Sequence, residues 1–110
     1  MKAEDFLLVY CMVPDKRSAK KIAHHLLSLN LIACANVFPK GQSFYKWKGK
    51  LRKSEELALI LKTKKSLYKK MSKELISQHP YECPGLCALS FYQAHPSFLE
   101  WIHDSLLLKD

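Results

Sequence analysis

Residues 6–13, FLLVYCMV, are apolar at every position, and this run constrains the fold more than any other feature of the chain. A continuous run of this length predicts a central strand that is covered on both faces. It is far shorter than the roughly 18 apolar residues of a membrane helix. Glu4 and Asp5 precede it, whereas a signal peptide begins with basic residues. We therefore expect a buried strand that stays in the mature protein, and no membrane-spanning helix.

Helical spacing begins directly after this run. Asp15 is placed to cap a helix, and Asn30 suits the left-handed position at its end. The residues that recur at helical spacing are Ala19, Ile22, Ala23, Leu26 and Leu27. Residues 33–47 then indicate a long strand, interrupted near residues 39–41. Lys48–Gly49 predicts a hairpin turn, because glycine tolerates the positive φ that such turns require.

The second half of the chain repeats the alternation of strand and helix. Glu56–Thr63 predicts a strand that is apolar on both faces, and Leu86–Tyr92 predicts a fourth strand. Ser66 is expected to cap a second helix that ends before Pro80. Its inward residues are Leu67, Tyr68, Met71 and Leu75. His95–Pro96 opens a last helix, with proline at the first position. Its apolar stripe comprises Phe98, Trp101, Ile102, Ser105 and Leu106.

The predicted order is β-α-β-β-α-β plus a C-terminal helix. This order indicates an α+β fold of the ferredoxin-like split βαβ type, in a single domain over residues 1–110. Both main helices of that fold cover the same face of the sheet. The first and third strands are nevertheless apolar on both faces, so the uncovered face requires a partner, and we expect an oligomer.

The net charge of +8 requires an explanation, and lysine supplies nearly all of it. A basic surface suits nucleic acid, an acidic ligand or an anionic membrane. A solvated lysine surface explains the charge better, because the lysines are spread over several elements and arginine occurs only at Arg17 and Arg52. Residues 40–45 begin like an RNA-recognition motif, but the following glycine and aromatic positions do not fit. We therefore expect neither a nucleic-acid nor a membrane partner.

The cysteines and histidines form few combinations that indicate a metal, redox or catalytic site. Four cysteines without an export signal favour free thiols and a cytoplasmic location. Cys11 is either a buried hydrophobe or a soft thiolate suited to Cu(I) or Zn(II), and His79 follows the second helix. The sequence leaves open whether these two side chains meet. Cys83 and Cys87 form neither a redox nor a zinc-binding pair, so we assign them no role. No nucleophile with its base stands out, and we expect no enzyme.

Several segments occur in the order and spacing of a known family: CMVPD at 11–15, LIACANV at 31–37, SFYKWKGKL at 43–51, Glu56, LKT at 61–63, HPYE at 79–82, and Trp101. With these segments the chain resembles the CutA family of divalent-cation tolerance proteins over nearly its whole length. The resemblance implies a compact homotrimer linked to metal tolerance, particularly copper. It places the copper positions on Cys11 and His79. Gln78 stands where some members carry a second histidine, and Gly85 replaces a glutamate.

The resemblance also implies residues for clefts between subunits: Trp47, Lys50, Glu56, Lys62 and Tyr81. We therefore expect a non-enzymatic trimer in cation or copper homeostasis that binds copper weakly. Two ligands cannot fill a tetrahedral zinc shell, whereas near-linear Cu(I) coordination needs no more. The alternative is a signalling or scaffold trimer whose clefts bind a small anion or metabolite. Nucleic-acid binding, the third hypothesis, predicts steep salt dependence.

Overall fold

The computed structural model describes residues 1–106. Its elements are β1 (Phe6–Val13), α1 (Lys16–Ser28), β2 (Cys34–Trp47), β3 (Lys50–Lys64), α2 (Lys65–Gln78), β4 (Leu86–Ser90) and α3 (Pro96–Ser105). The four strands form one antiparallel sheet in the order β2-β3-β1-β4. The predicted α+β order of β-α-β-β-α-β plus a final helix is confirmed. The last four residues of the predicted domain lie outside the described residues. No helix within residues 1–106 is long and apolar enough to cross a membrane.

Local signals in the sequence mark the element boundaries well. The bounds of β1 are those predicted. Asp15 caps α1 by accepting a hydrogen bond from the Ser18 amide at 2.8 Å. Asn30 has a φ of 56°, and Lys48 and Gly49 have φ values of 52° and 78°. These positive values are those of a left-handed helix end and of a two-residue hairpin turn.

Three boundary predictions are wrong. Ser66 does not cap α2, because β3 runs straight into the helix and Lys64 takes the N-cap position without a side-chain hydrogen bond. β3 begins at Lys50 rather than Glu56, because its first residues pair with β2 in an exposed hairpin that needs no apolar pattern. β4 ends at Ser90 rather than Tyr92, although the Phe91 amide still donates to the Phe6 carbonyl at 3.0 Å.

The two faces of the sheet differ in what covers them. α1 and α2 pack on one face, where the strands contribute Leu7, Val9, Cys11, Val13, Leu57, Leu59 and Leu61, all 9% exposed or less. The opposite face, called here the open sheet face, carries Leu8, Tyr10, Met12, Cys34, Asn36, Phe38, Ala58, Ile60, Lys62, Cys87 and Leu89 in register. Three of its large side chains are exposed: Leu89 by 65%, Phe38 by 56% and Tyr10 by 39%.

The predicted interruption of the second strand is a β-bulge. The register of β2 against β3 shifts between Phe38 and Gly41, and Lys40 has a φ of 62°. A Cβ atom on Gly41 would lie 2.6 Å from the backbone oxygen of Glu56, so only glycine fits this close approach. Beyond the bulge, β2 and β3 continue as the exposed hairpin that forms one wall of the site described next.

Candidate functional site

Cys11 lies in the interior, under the helices. Its side chain points from β1 into the helix-covered face, and the residue is 0% exposed. Burial, together with the charges of the nearby Cys87 and Glu56, raises the pKa of the thiol from 9.0 to about 12. The thiol is therefore protonated near neutral pH. Its sulfur lies 3.7 Å from the Met12 carbonyl, which is a weak contact.

His79 stands at the C-cap of α2 and is 9% exposed. Its Nε2 lies 2.9 Å from the Met12 carbonyl oxygen, and its Nδ1 lies 3.1 Å from the Tyr81 backbone nitrogen. A carbonyl only accepts and an amide N–H only donates, so Nε2 carries the proton and Nδ1 accepts. The neutral imidazole thus ties the loop after α2 to the end of β1.

The fold brings the two predicted copper ligands into the same neighbourhood, because His79 binds the carbonyl of the residue that follows Cys11. In the conformation described here, however, neither offers a ready ligand atom. Both ring nitrogens of His79 are hydrogen-bonded, and the Cys11 thiol keeps its proton. Within residues 1–106 no cluster of three or more His, Cys, Asp or Glu side chains is arranged to hold a metal. A resident metal held by three or more such ligands does not fit this arrangement, and two-ligand copper binding at Cys11 and His79 stays a prediction.

Tyr81 extends the network from His79 to β3. Its hydroxyl donates to Glu56 Oε2 at 2.7 Å, and its ring centroid lies 4.9 Å from that of His79. Burial raises the pKa of the Tyr81 hydroxyl, and the hydrogen bond to Glu56 and the charge of that carboxylate add to the shift. Glu56 is only 7% exposed. One chain of hydrogen bonds therefore runs from β1 through His79 and Tyr81 to a buried carboxylate.

This carboxylate lines an open pocket of about 620 Å³, referred to as the hairpin pocket. Its lining residues are Met12, Tyr45, Trp47, Arg52, Lys53, Ser54, Glu56, Pro80, Tyr81, Glu82, Cys83 and Gly85. Aromatic rings, Arg52 and the buried carboxylate thus face a common space, whereas the Lys53 ammonium lies 5.9 Å from the Phe44 ring centroid on the other side of the hairpin. Such a pocket is of the size and mixed polarity that binds small organic molecules.

The five predicted cleft residues are not all in this pocket. Trp47, Glu56 and Tyr81 line it. Lys50 lies at the hairpin turn, paired with Trp47, and Lys62 donates to Asn36 on the open sheet face. A cleft that includes both lysines would need a neighbouring protomer, so their role stays a prediction.

Sequence reasoning missed most of the pocket residues, among them Met12, Tyr45, Arg52 and Ser54. For Tyr45, Arg52 and Ser54, the alternation of side chains along a strand could have indicated that they share one side of the hairpin. Tyr45 pairs with Arg52, and Ser54 lies two residues further along β3 on the same side. The Tyr45 hydroxyl is 2.7 Å from Ser54 Oγ, which fixes the ring against the hairpin.

The residues that depart from the family pattern lie at the end of α2, in the loop that follows it and in β4. The Gly85 carbonyl accepts a hydrogen bond from the Met12 amide at 3.2 Å, which joins the loop to β1. Gln78 is the last residue of α2. Cys83 and Cys87 are exposed, and both, like Cys11 and Cys34, are free thiols.

The fold and site define a ferredoxin-like α+β protein with an uncovered sheet face and a ligand-sized pocket. Residues 7–105 match the family model of the CutA1 divalent ion tolerance protein. The divalent-cation tolerance protein CutA of Escherichia coli O81 is 37% identical over 91% of this chain and 89% of its own. The crystal structure of CutA1 from Ehrlichia chaffeensis superposes with a TM-score of 0.90 at 31% identity, covering 97% and 100% of the two chains.

The chain therefore belongs to the CutA1 divalent ion tolerance protein family. The chloroplastic protein CutA of Arabidopsis thaliana is 33% identical over 90% of this chain, which covers 54% of that protein. The chain thus spans about half the length of some of the curated relatives it matches.

Proposed function

We propose that this chain serves divalent-cation tolerance as a non-catalytic homotrimer. The observation that carries the proposal is the open sheet face, where Leu89, Phe38 and Tyr10 are 65%, 56% and 39% exposed. Fully burying a side chain of this size contributes roughly 1.5–3 kcal/mol. A chain with an ordinary stability of about 5–15 kcal/mol gains much from covering several of them. The family membership supports an assembly of three.

Light scattering at micromolar concentration tests the assembly. We expect three times the 12.7 kDa chain mass, and the same mass in high salt because the contact is mainly apolar. Leu89→Lys should dissociate the trimer. Leu51→Lys is the matched control, since Leu51 is 81% exposed but lies on the same side of β3 as the helix-covered leucines, away from the open sheet face. A stable, folded monomer of the parent chain would refute the assembly.

The absence of catalysis is part of the same proposal. His79 contacts the pocket residue Tyr81, and both its ring nitrogens are held by backbone groups. Glu56 accepts from Tyr81, whose raised pKa keeps the phenol protonated. The Tyr81 hydroxyl therefore supports binding and positioning better than proton transfer, which needs a pKa near the working pH.

For the metal, we propose that copper is a weakly held cargo of Cys11 and His79. Its binding would have to remove the thiol proton and release one nitrogen of the imidazole, and these costs support a low affinity. Two soft ligands suffice for near-linear Cu(I) and not for tetrahedral Zn(II), which supports a preference for copper.

Competition titrations with a Cu(I) chelator test this metal assignment. We expect weaker Cu(I) binding in both Cys11→Ser and His79→Ala, with zinc bound more weakly than copper by the parent. His24→Ala is the control, because His24 is an exposed histidine on α1. Circular dichroism must show that each variant is folded. Equal copper affinity in the parent and both variants would remove these residues from the site.

The second candidate function is the binding of a small anionic metabolite. The specific observation in its favour is the hairpin pocket, in which the cation Arg52 accompanies three aromatic side chains. The pocket and the open sheet face lie on the same side of the sheet, which carries Met12, Ser54 and Glu56. A neighbouring protomer packed on that face would therefore adjoin the pocket.

A further inference from the structure

The hairpin pocket holds a buried carboxylate with spare capacity to accept hydrogen bonds. Glu56 is 7% exposed, and within residues 1–106 its side chain receives one hydrogen bond, from Tyr81 to Oε2. The one ion pair described in that range joins His25 and Glu74, so no cation neutralises Glu56 directly. Buried carboxylates are stabilised by several donors. The inner end of the pocket therefore favours a ligand that presents N–H groups.

The cation best suited to an anion lies at the other end of the pocket. Arg52 precedes Glu56 by four residues on β3, a distance of about 13 Å along a strand. Its guanidinium binds a carboxylate or phosphate through two parallel hydrogen bonds. This separation favours a ligand with its donors at one end and its anion at the other. The α-amine and carboxylate of an amino acid cannot span it, because both are attached to the same carbon.

Aromatic side chains line the pocket at both of these ends. Tyr45 pairs with Arg52 across the hairpin, and Tyr81 binds Glu56. Trp47 pairs with Lys50, beyond Arg52, where it adds a third ring to the lining and is 41% exposed. Planar ligands stack on such rings at little entropic cost.

We propose that the hairpin pocket binds a planar heteroaromatic ring with amino donors and an anionic group at its far end, as in a purine nucleotide. Glu56 would accept from the ring's N–H groups, the aromatic side chains would flank the ring, and Arg52 would hold the anion. The pocket volume of about 620 Å³ suits a ligand of this size. The proposal rests on the second function proposed above and adds the class of ligand.

Calorimetric titration with three matched probes tests the ligand class: adenosine monophosphate, adenosine and ribose 5-phosphate, at roughly 0.15 M salt to screen the lysine surface. We expect the monophosphate to bind at least about tenfold more tightly than either fragment, since each lacks one of the two polar contacts. Arg52→Gln should remove the difference between the monophosphate and adenosine. Glu56→Gln should weaken both and leave ribose 5-phosphate unchanged.

Lys46→Gln is the control, because Lys46 lies on the other side of the same hairpin, opposite Leu51. Monophosphate binding that is unaffected by both Arg52→Gln and Glu56→Gln would overturn the proposal. If ribose 5-phosphate binds as tightly as the monophosphate and depends on Arg52, the ring contact is wrong while an anion site remains. If none of the three probes binds, the ligand class and the anion-binding function both fail, whereas the trimer and copper proposals are unaffected.

Discussion

Replacing His79 by alanine tests whether its imidazole stabilises the fold or serves only as a metal ligand. In the metal-free protein, the His79 side chain donates to the Met12 carbonyl and accepts from the Tyr81 amide. Alanine would leave both backbone groups without their partner at a site that is 9% exposed. A ligand with no other task would instead leave the stability of the metal-free protein unchanged.

The size of the effect follows from these contacts. Each lost hydrogen bond costs about 0.5–1.5 kcal/mol, and up to about 3 kcal/mol if the remaining partner stays unpaired. The ring contact with Tyr81 adds up to about 1 kcal/mol. Water can enter near the surface and replace part of the loss. We expect His79→Ala to lower the free energy of unfolding by about 2–4 kcal/mol, a shift of the urea midpoint by roughly 1–2 M.

The assay is urea denaturation followed by far-UV circular dichroism, with a chelator present. All variants must be compared at one protein concentration, because the assembly couples to unfolding. His24→Ala, on the exposed side of α1, should change the free energy by no more than about 0.5 kcal/mol. An unchanged midpoint for His79→Ala would refute the reasoning and leave the imidazole free for a metal.

Two further perturbations test the packing around the site. Gly41→Ala places a Cβ 2.6 Å from the Glu56 backbone oxygen and should cost about 1–3 kcal/mol in thermal or urea unfolding. Gly85→Ala meets nothing within 4 Å and should be tolerated, so equal losses in both variants would contradict the close approach. The raised pKa of Cys11 makes the free energy of unfolding depend on pH. The contribution of this thiol is fully present below pH 9.0 and is lost as the pH rises toward about 12, since only the unfolded chain releases the thiol proton in that range. Cys11→Ala should show a shallower alkaline loss than the parent in urea midpoints between these pH values, and identical slopes would exclude the effect.

Much of the fold was predictable because its signals are local. The apolar run of β1, the Asp15 cap, the left-handed Asn30 and the Lys48–Gly49 turn each depend on a few neighbouring residues. Ser66 is the informative failure. Serine at the start of a helical pattern is a normal cap, but the pairing of β3 with β1 extends to Lys64 and fixes where the helix begins.

The sequence by itself determined the order of the elements, the excess of apolar strand surface and, through the family resemblance, the choice of Cys11 and His79 as candidate ligands. Only the tertiary structure decided what the site residues do. The hydrogen bond from His79 to Met12 spans 67 residues, and that from Tyr81 to Glu56 spans 25. No local pattern encodes such pairs, because they form only when β1, β3 and the loop after α2 meet. For the same reason, the pairing of Tyr45 with Arg52 beside a buried carboxylate emerges from the register of the hairpin, which a single strand pattern does not contain.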